Sequence, residues 1–317
     1  MKCALFFFLC SGTLVFAVAP PIRNETEVIH PWFTGPLLST SAHIVTRGNF
    51  NLEPYFFVNT QYGKYDTSWH LQKGQDTEHN LNLQLWWDIG LSDFLQLIIV
   101  PQFFYNYTMS TPQSSFAFGD LRLGIEWMLT KSTAYQFALK FGILETFPTG
   151  QFEQFDVGDT TEGGGSGSYI TEFRIATERM WHLGGIHFLD FRIVLLTFLY
   201  SHVQLQGKNT YGGDATTNGW INPGANFSLL FSEQISITRN WAIAMDWINT
   251  FIRTDTFKGT TVKAVGNTSW QYQMSLSPAL EYNFNQNAGL IFGCWFSLFG
   301  RNAPAFANAV IALNCYL

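Results

Sequence analysis

From His79 to Leu91 the chain reads HNLNLQLWWDIGL, with Leu81, Leu83, Leu85, Trp87, Ile89 and Leu91 apolar and Asn82, Gln84 and Asp88 among the residues between them. A period of two marks a β-strand with one apolar and one polar face. The same pattern sets Leu121, Leu123, Ile125 and Trp127 against Arg122, Gly124 and Glu126, and Trp270, Tyr272, Met274, Leu276 and Leu280 against Gln271, Gln273, Ser275, Ser277 and Glu281. Twelve such runs are predicted: Asn51–Gln61, His79–Leu91, Phe94–Tyr107, Phe118–Leu129, Tyr135–Thr146, Ser168–Trp181, His187–Val203, Gly219–Ile235, Trp241–Arg253, Ser269–Tyr282, Gly289–Phe299 and Ala305–Leu317. Each suffices for a tilted strand to cross a bilayer, which takes about 9–11 residues.

The connections between runs decide which face looks outward. Short turns at Leu91–Phe94, Thr130–Ala134, His182–Ile186, Ser236–Asn240 and Asn283–Ala288 alternate with longer links, among them Thr108–Ala117, Phe147–Gly167, Gln204–Asn218 and Thr254–Thr268; only Gly300–Pro304 is brief on the long side. Transmembrane barrels sort their loops in this way, with tight periplasmic turns and roomy outer loops. The predicted fold is therefore all-β: a transmembrane up-and-down antiparallel β-barrel of about twelve strands spanning residues 50–317. The even strand count brings both ends to the periplasmic side.

In such a barrel Leu81, Leu83, Leu85, Trp87, Ile89, Leu121, Leu123, Ile125, Trp127, Met274 and Leu276 face lipid. The opposite parity carries Arg122, Glu126, Lys140, Glu172, Arg174, Glu178, Asp190, Arg192, Asp246 and Glu281, the candidate lumen and pore lining. A charge on the lipid face near the midplane costs roughly 2–4 kcal/mol. Glu145, Arg179, Glu233 and Arg253, the charges on the apolar parity, all stand near run ends. Trp127, Tyr135, Trp181, Trp241, Trp270 and Tyr282 also gather at run ends, where interfacial girdles belong.

Composition agrees. Of 317 residues 17% are aromatic and 13% charged, about half the charged share of a soluble domain. Mean hydropathy is only +0.05, which suits two-faced strands rather than apolar helices. A net charge of −6 excludes nucleic acid as a partner, since phosphate binding needs concentrated Lys and Arg.

The opening MKCALFFFLCSGTLVFAVAPP pairs Lys2 with an apolar run from Ala4 to Ala19, as in a secretory signal. We expect a signal peptide over 1–17, with cleavage after Ala19 the alternative. Residues 18–49 then form a periplasmic segment or a plug in the lumen; the lack of period fits both. Cys294 and Cys315 remain after the signal leaves, and a hairpin turning near Asn302 would set Cys294 opposite about Ile311, so no disulfide is expected. The implied partners are outer-membrane lipid, the barrel-assembly machinery and a small-molecule solute.

Five stretches resemble the outer-membrane family associated with the meta-cleavage pathway of phenol degradation: WFTGPLLSTSAH at Trp32–His43, NLEPYFF at Asn51–Phe57, FGDLRLGIEWML at Phe118–Leu129, FPTGQF at Phe147–Phe152 and GSGSYITEFRIATER at Gly165–Arg179. The resemblance implies one barrel in the bacterial outer membrane, handling small hydrophobic or aromatic compounds, and brings no catalytic residue with it.

Nothing in the sequence points to an enzyme or a cofactor. The run Gly163–Ser168 lacks the GK[ST] and GxSxG patterns and reads as a flexible outer loop. The histidines at 30, 43, 70, 79, 182, 187 and 202 show no metal-ligand spacing. The function expected is a channel or transporter for small, hydrophobic or aromatic molecules. The alternative is a structural barrel with a closed lumen whose outer loops bind a partner, because the luminal charges can either filter solutes or pair and fill the interior.

Overall fold

Residues 32–317, apart from 109–112, 134 and 157–160, are described by a computed structural model. The expected signal at 1–17, and the N-terminal segment as far as residue 31, lie outside the described residues. The strands in chain order are β1 Phe50–Tyr65, β2 Leu71–Ser92, β3 Leu95–Val100, β4 Gln102–Thr108, β5 Gln113–Phe118, β6 Leu121–Thr130, β7 Ala138–Phe147, β8 Ile170–Gly184 and β9 His187–Tyr200. They continue with β10 Val203–Gln206, β11 Asn218–Asn222, β12 Asn226–Ser236, β13 Trp241–Ile252, β14 Thr256–Thr260, β15 Gln271–Asn285, β16 Ala288–Arg301 and β17 Pro304–Tyr316.

Fourteen of these make one sheet, and it closes because β1 pairs with both β17 and β2. β3 runs on into β4 and β5 into β6, so the wall has twelve staves, all antiparallel to their neighbours. Closure leaves no sheet edge in the hydrocarbon region, where an unpaired backbone group is prohibitively costly. Pro101 splits β3 from β4 because it has no N–H to donate; its carbonyl instead accepts from Leu85 N at 3.1 Å.

Several predicted loops are strand. β1 and β2 stay paired to Tyr65↔Leu71, well past Gln61 and before His79. Tyr62–His70 has no sustained apolar parity, and above the lipid no face has to be apolar, so pairing continues where the hydrophobic period stops. β5, inside the expected loop Thr108–Ala117, pairs with β4 from Thr108↔Gln113 to Phe103↔Phe118. Conversely, the run expected over Gly219–Ile235 is cut by Pro223–Gly224. Its first residues belong to β11, which joins β10 and β14 in a separate three-stranded sheet on the long-loop side. That sheet packs Val203, Leu205, Ile221 and Val265 against Phe152, Tyr211 and Phe257.

Two details differ from expectation. Tyr135 precedes β7 and is 95% exposed, so it stands in the short connection rather than on a strand. Cys294 lies opposite Ala309, not Ile311; Asn302 adopts φ 51° and tightens the β16–β17 turn. Both cysteines are free.

The barrel is filled from within. Leu37 packs with Phe57, Ala244, Ala279, Ile291, Val310 and Ala312, and Ala42 packs with Ala138, Ala176, Val194, Leu230 and Ile248. Small residues on the luminal parity of β13, β15 and β17 leave room for this inserted segment. On the outer surface Trp87 and Ile125 are exposed, and Leu81, Leu83, Leu85, Ile89, Leu121, Leu123, Trp127, Met274 and Leu276 are half-buried.

Candidate functional site: the luminal charge network and the segment it holds

Cross-strand register builds the interior. Glu126, Gly142 and Arg174 stand in one row across β6, β7 and β8. Gly142 has no side chain to separate its neighbours, so Arg174 Nη1 reaches Glu126 Oε1 at 3.0 Å. A Cβ at 142 would meet Glu126 Cγ at 2.9 Å. Lys140 Nζ lies 2.5 Å from Glu126 Oε2, and Gln96, opposite Glu126 on β3, donates to the same oxygen at 2.7 Å. Glu172 accepts from Arg174 Nη2 at 2.6 Å and faces Arg122 Nη1 at 3.6 Å.

A second group lies along β8 and β9. Arg192 bridges Asp190 at 2.9 Å and Glu178 at 3.3 Å. All of these except Arg122 are at most 5% exposed. A buried charge is tolerated only when paired and hydrogen-bonded, and these are.

The remaining partners come from the N-terminal segment. Glu178 Oε2 accepts from Ser41 Oγ at 2.5 Å and Ala42 N at 2.6 Å. Asp246 accepts from Leu38 N at 3.0 Å and from Ser232 Oγ at 2.5 Å. Glu281 accepts from Thr34 N, Gln234 and Asn283. Arg192 donates to Ser39 O at 3.2 Å, Lys140 to Thr40 Oγ1 at 3.1 Å, and Val45 N to Gln96 Oε1 at 2.7 Å.

Asp246 and Glu281 enter no ion pair among the described residues; Asp246 is compensated by the Leu38 N–H and the Ser232 hydroxyl, and Glu281 by three N–H groups, one of them from the segment. The wall's side chains thus take the backbone hydrogen bonds that a strand partner would otherwise supply. Close packing completes the seat. A Cβ at Gly90 would lie 2.1 Å from Thr46 O, and one at Gly289 would lie 2.3 Å from Thr34 Cγ2.

The ten charged positions read from the sequence are therefore gathered on the interior of β6–β9, β13 and β15. Eight act on one another at the β6–β8 end or through Arg192; Glu178, Lys140 and Arg192 among them grip the segment, as do Asp246 and Glu281. The charge pattern alone did not mark Gln96, Gln234, Asn283 or Trp86. Trp86 carried a usable signal, being an aromatic ring on the polar parity; the Arg122 and Arg174 guanidinium carbons lie 5.7 and 5.6 Å from its centroid.

Cavities remain on both sides of the segment. One of about 410 Å³ borders Tyr55, Gln84, Trp86, Asp88, Asn314 and Tyr316 towards the short-turn rim. Another of about 260 Å³ opens towards the long-loop rim beside Arg122, Phe198 and Tyr200.

The resembling motifs meet at one carboxylate on that rim. Asp120 accepts from Gly150 N at 3.0 Å and from Ser166 N and Oγ, each at 2.8 Å. It ties FGDLRL to FPTGQF and to the glycine run. Gly163–Ser168 is accordingly a packed loop and not a free tether: a Cβ at Gly165 would stand 2.5 Å from Gly150 O, and Ser168 is fully buried. Among the described residues, no group of three or more His, Cys, Asp or Glu side chains is arranged to hold a metal.

The closed wall, apolar exterior and charged interior define an outer-membrane β-barrel. A crystal structure of an outer-membrane channel from Pseudomonas putida F1 superposes with a TM-score of 0.68, covering 89% of this chain and 100% of that one at 14% identity. At that identity the likeness speaks to the fold alone. The toluene transporter TodX of P. putida (TM-score 0.38, 11% identity, 86% of this chain and 91% of that one) and the translocator domain of the autotransporter NalP from Neisseria meningitidis (0.39, 6%, 84% and 87%) align too loosely to argue from. No protein-family description matches the sequence, and no curated protein matches it significantly.

Proposed function

We propose that this barrel is a plugged outer-membrane channel for small molecules, exported by its N-terminal signal and inserted by the barrel-assembly machinery. The observation that carries the reading is the manner in which residues 34–45 are held. Their backbone is bonded by wall side chains and not by strand pairing, so the segment can leave without breaking the sheet. The wall behind it is charged and polar, and would hold water once the segment withdraws. The resemblance to the phenol meta-pathway family supports small aromatic or hydrophobic solutes as cargo.

Conductance in planar bilayers tests the reading. Deleting residues 32–47 should raise single-channel conductance several-fold over the intact protein, and unchanged conductance would remove the plug from the account. One observation favours a second reading, a closed barrel that displays its loops. The paired charges fill much of the lumen, and β10, β11 and β14 weld two outer loops into one surface. Liposome swelling separates the two: no solute permeation by the intact or the deleted protein supports the display reading.

A further inference from the structure

Arg122 is the exception in the luminal network. Lys140, Arg174 and Arg192 each donate at least two hydrogen bonds to the interior. Arg122 donates none to any described residue: its Nε is buried without a partner, and Glu172 stands at 3.6 Å, beyond hydrogen-bond reach. A guanidinium carries five N–H donors in a fixed fork, and a group left in that state inside a protein invites an acceptor.

The neighbourhood supplies the rest of a site. Arg122 borders the cavity of about 260 Å³, whose wall also includes Gln102, Phe104, Phe198, Tyr200 and Asn226. Tyr200 OH accepts from Asn226 Nδ2 at 2.8 Å; its own proton goes to no described acceptor, and Asn226 Oδ1 is buried and unpartnered. Phe104 and Phe198 stand on the luminal parity of β4 and β9. Polar donors and apolar rings therefore converge on one space. Its size falls just below the roughly 300–1,000 Å³ of drug-sized sites, which suits a single ring and not a long chain.

We infer that this cavity binds a small organic monocarboxylate with a flat apolar body, its carboxylate on Arg122 and Tyr200 and its body between Phe104 and Phe198. The inference rests on the channel reading in one respect, since the ligand enters from the long-loop rim as a solute would. Charge balance selects the class. The linked network of Arg122, Arg174 and Lys140 with Glu126 and Glu172 carries one surplus positive charge, which compensates a monoanion, while Asp120 on the cavity wall disfavours a dianion such as phosphate. Planar recognition of a carboxylate is what an arginine fork does best. The neutral hydroxyl analogue offers the guanidinium fork no carboxylate to grip and leaves its buried Nε without an acceptor.

Calorimetric titration of the purified full-length protein in detergent tests this with benzoate, benzyl alcohol, acetate and inorganic phosphate. Benzoate should bind at least ten-fold more tightly than the other three. Arg122→Gln should lose at least ten-fold of that affinity, and Arg122→Lys, which keeps the charge without the fork, should lose less. Heat-modifiable gel migration verifies that each variant is folded. If Arg122→Gln does not fold, Phe104→Ser, expected to weaken benzoate and leave acetate unchanged, takes its place. Benzoate binding no tighter than benzyl alcohol, or unaffected by these substitutions, overturns the inference. Binding without conductance would sink only the transport reading, and conductance without benzoate binding only this site.

Discussion

Lys140 and Glu126 face each other at 2.5 Å across β6 and β7, and neither side chain is more than 2% exposed. The Lys140 ammonium also reaches Thr40 on the inserted segment at 3.1 Å. One buried pair thus links the wall to what fills it.

Removing one member should therefore cost more than a surface ion pair would. Glu126→Ala strands the Lys140 ammonium and leaves Arg174 with Glu172 alone, and is expected to destabilise the barrel by about 3–5 kcal/mol. Lys140→Met should cost less, because Arg174 and Gln96 still bond Glu126. Urea unfolding in lipid vesicles orders the two; equal losses would contradict this account of the network.

Gly90 is the narrowest point of the segment's seat. Gly48 N donates to Gly90 O at 3.0 Å, and a side chain here would overlap Thr46 O. Gly90→Val is expected to displace residues 45–49 while the barrel still closes, at a cost of about 1–3 kcal/mol as for other overpacking. A Thr40→Cys reporter should then react with a bulky maleimide at least ten-fold faster than in the Gly90 background. An unchanged rate would show that the segment is held elsewhere.

The outer face gives a paired comparison. Ile125 lies opposite Leu97 and Ile143, whereas Leu123 lies opposite Glu145. Ile125→Arg should cost roughly 2–4 kcal/mol. Leu123→Arg should cost less, since its guanidinium can reach the Glu145 carboxylate. Folding free energies in vesicles check the order, and a costlier Leu123→Arg would place the apolar belt differently.

The β1–β2 tip should respond to acid. Asp66 accepts from Ser68 N at 2.8 Å, His70 N at 3.0 Å and Gln72 Nε2 at 3.0 Å, and these bonds, the one from His70 first, lower its pKa. A depressed carboxylate stabilises the tip above its unfolded pKa of about 3.9, and that contribution disappears as pH falls through the lower folded value. Protection of the Ser68 and His70 amides, taken relative to their intrinsic exchange rates, should therefore fall below about pH 4, and Asp66→Asn should show the lower protection already at neutral pH. Protection indifferent to both changes would remove Asp66 from this role.

The wall was legible because lipid imposes a period of two on every stave, and Leu81–Ile89 or Gln271–Glu281 cannot satisfy bilayer and lumen otherwise. Legibility ended where that demand ended. Beyond the hydrocarbon zone Gly63–Tyr65 and Gln113–Phe118 pair without a consistent apolar face, and β11 was merged with β12 because the run ignored Pro223–Gly224. The interior charges were placed by parity alone. Their choice of partners was not visible, because Glu126 reaches Arg174 only across Gly142, and Asp246 is compensated by the backbone of Leu38. Both depend on three-dimensional proximity that the alternation does not encode.

The small sheet of β10, β11 and β14 carries a consequence for how the exposed side fails. Its strands come from two separate excursions of the chain, and a third is stitched on where Glu153 bridges Asn209. A protease nick in any one excursion therefore leaves the cut ends pinned by the others. Nicked protein should keep its native gel migration and fall into fragments only after boiling.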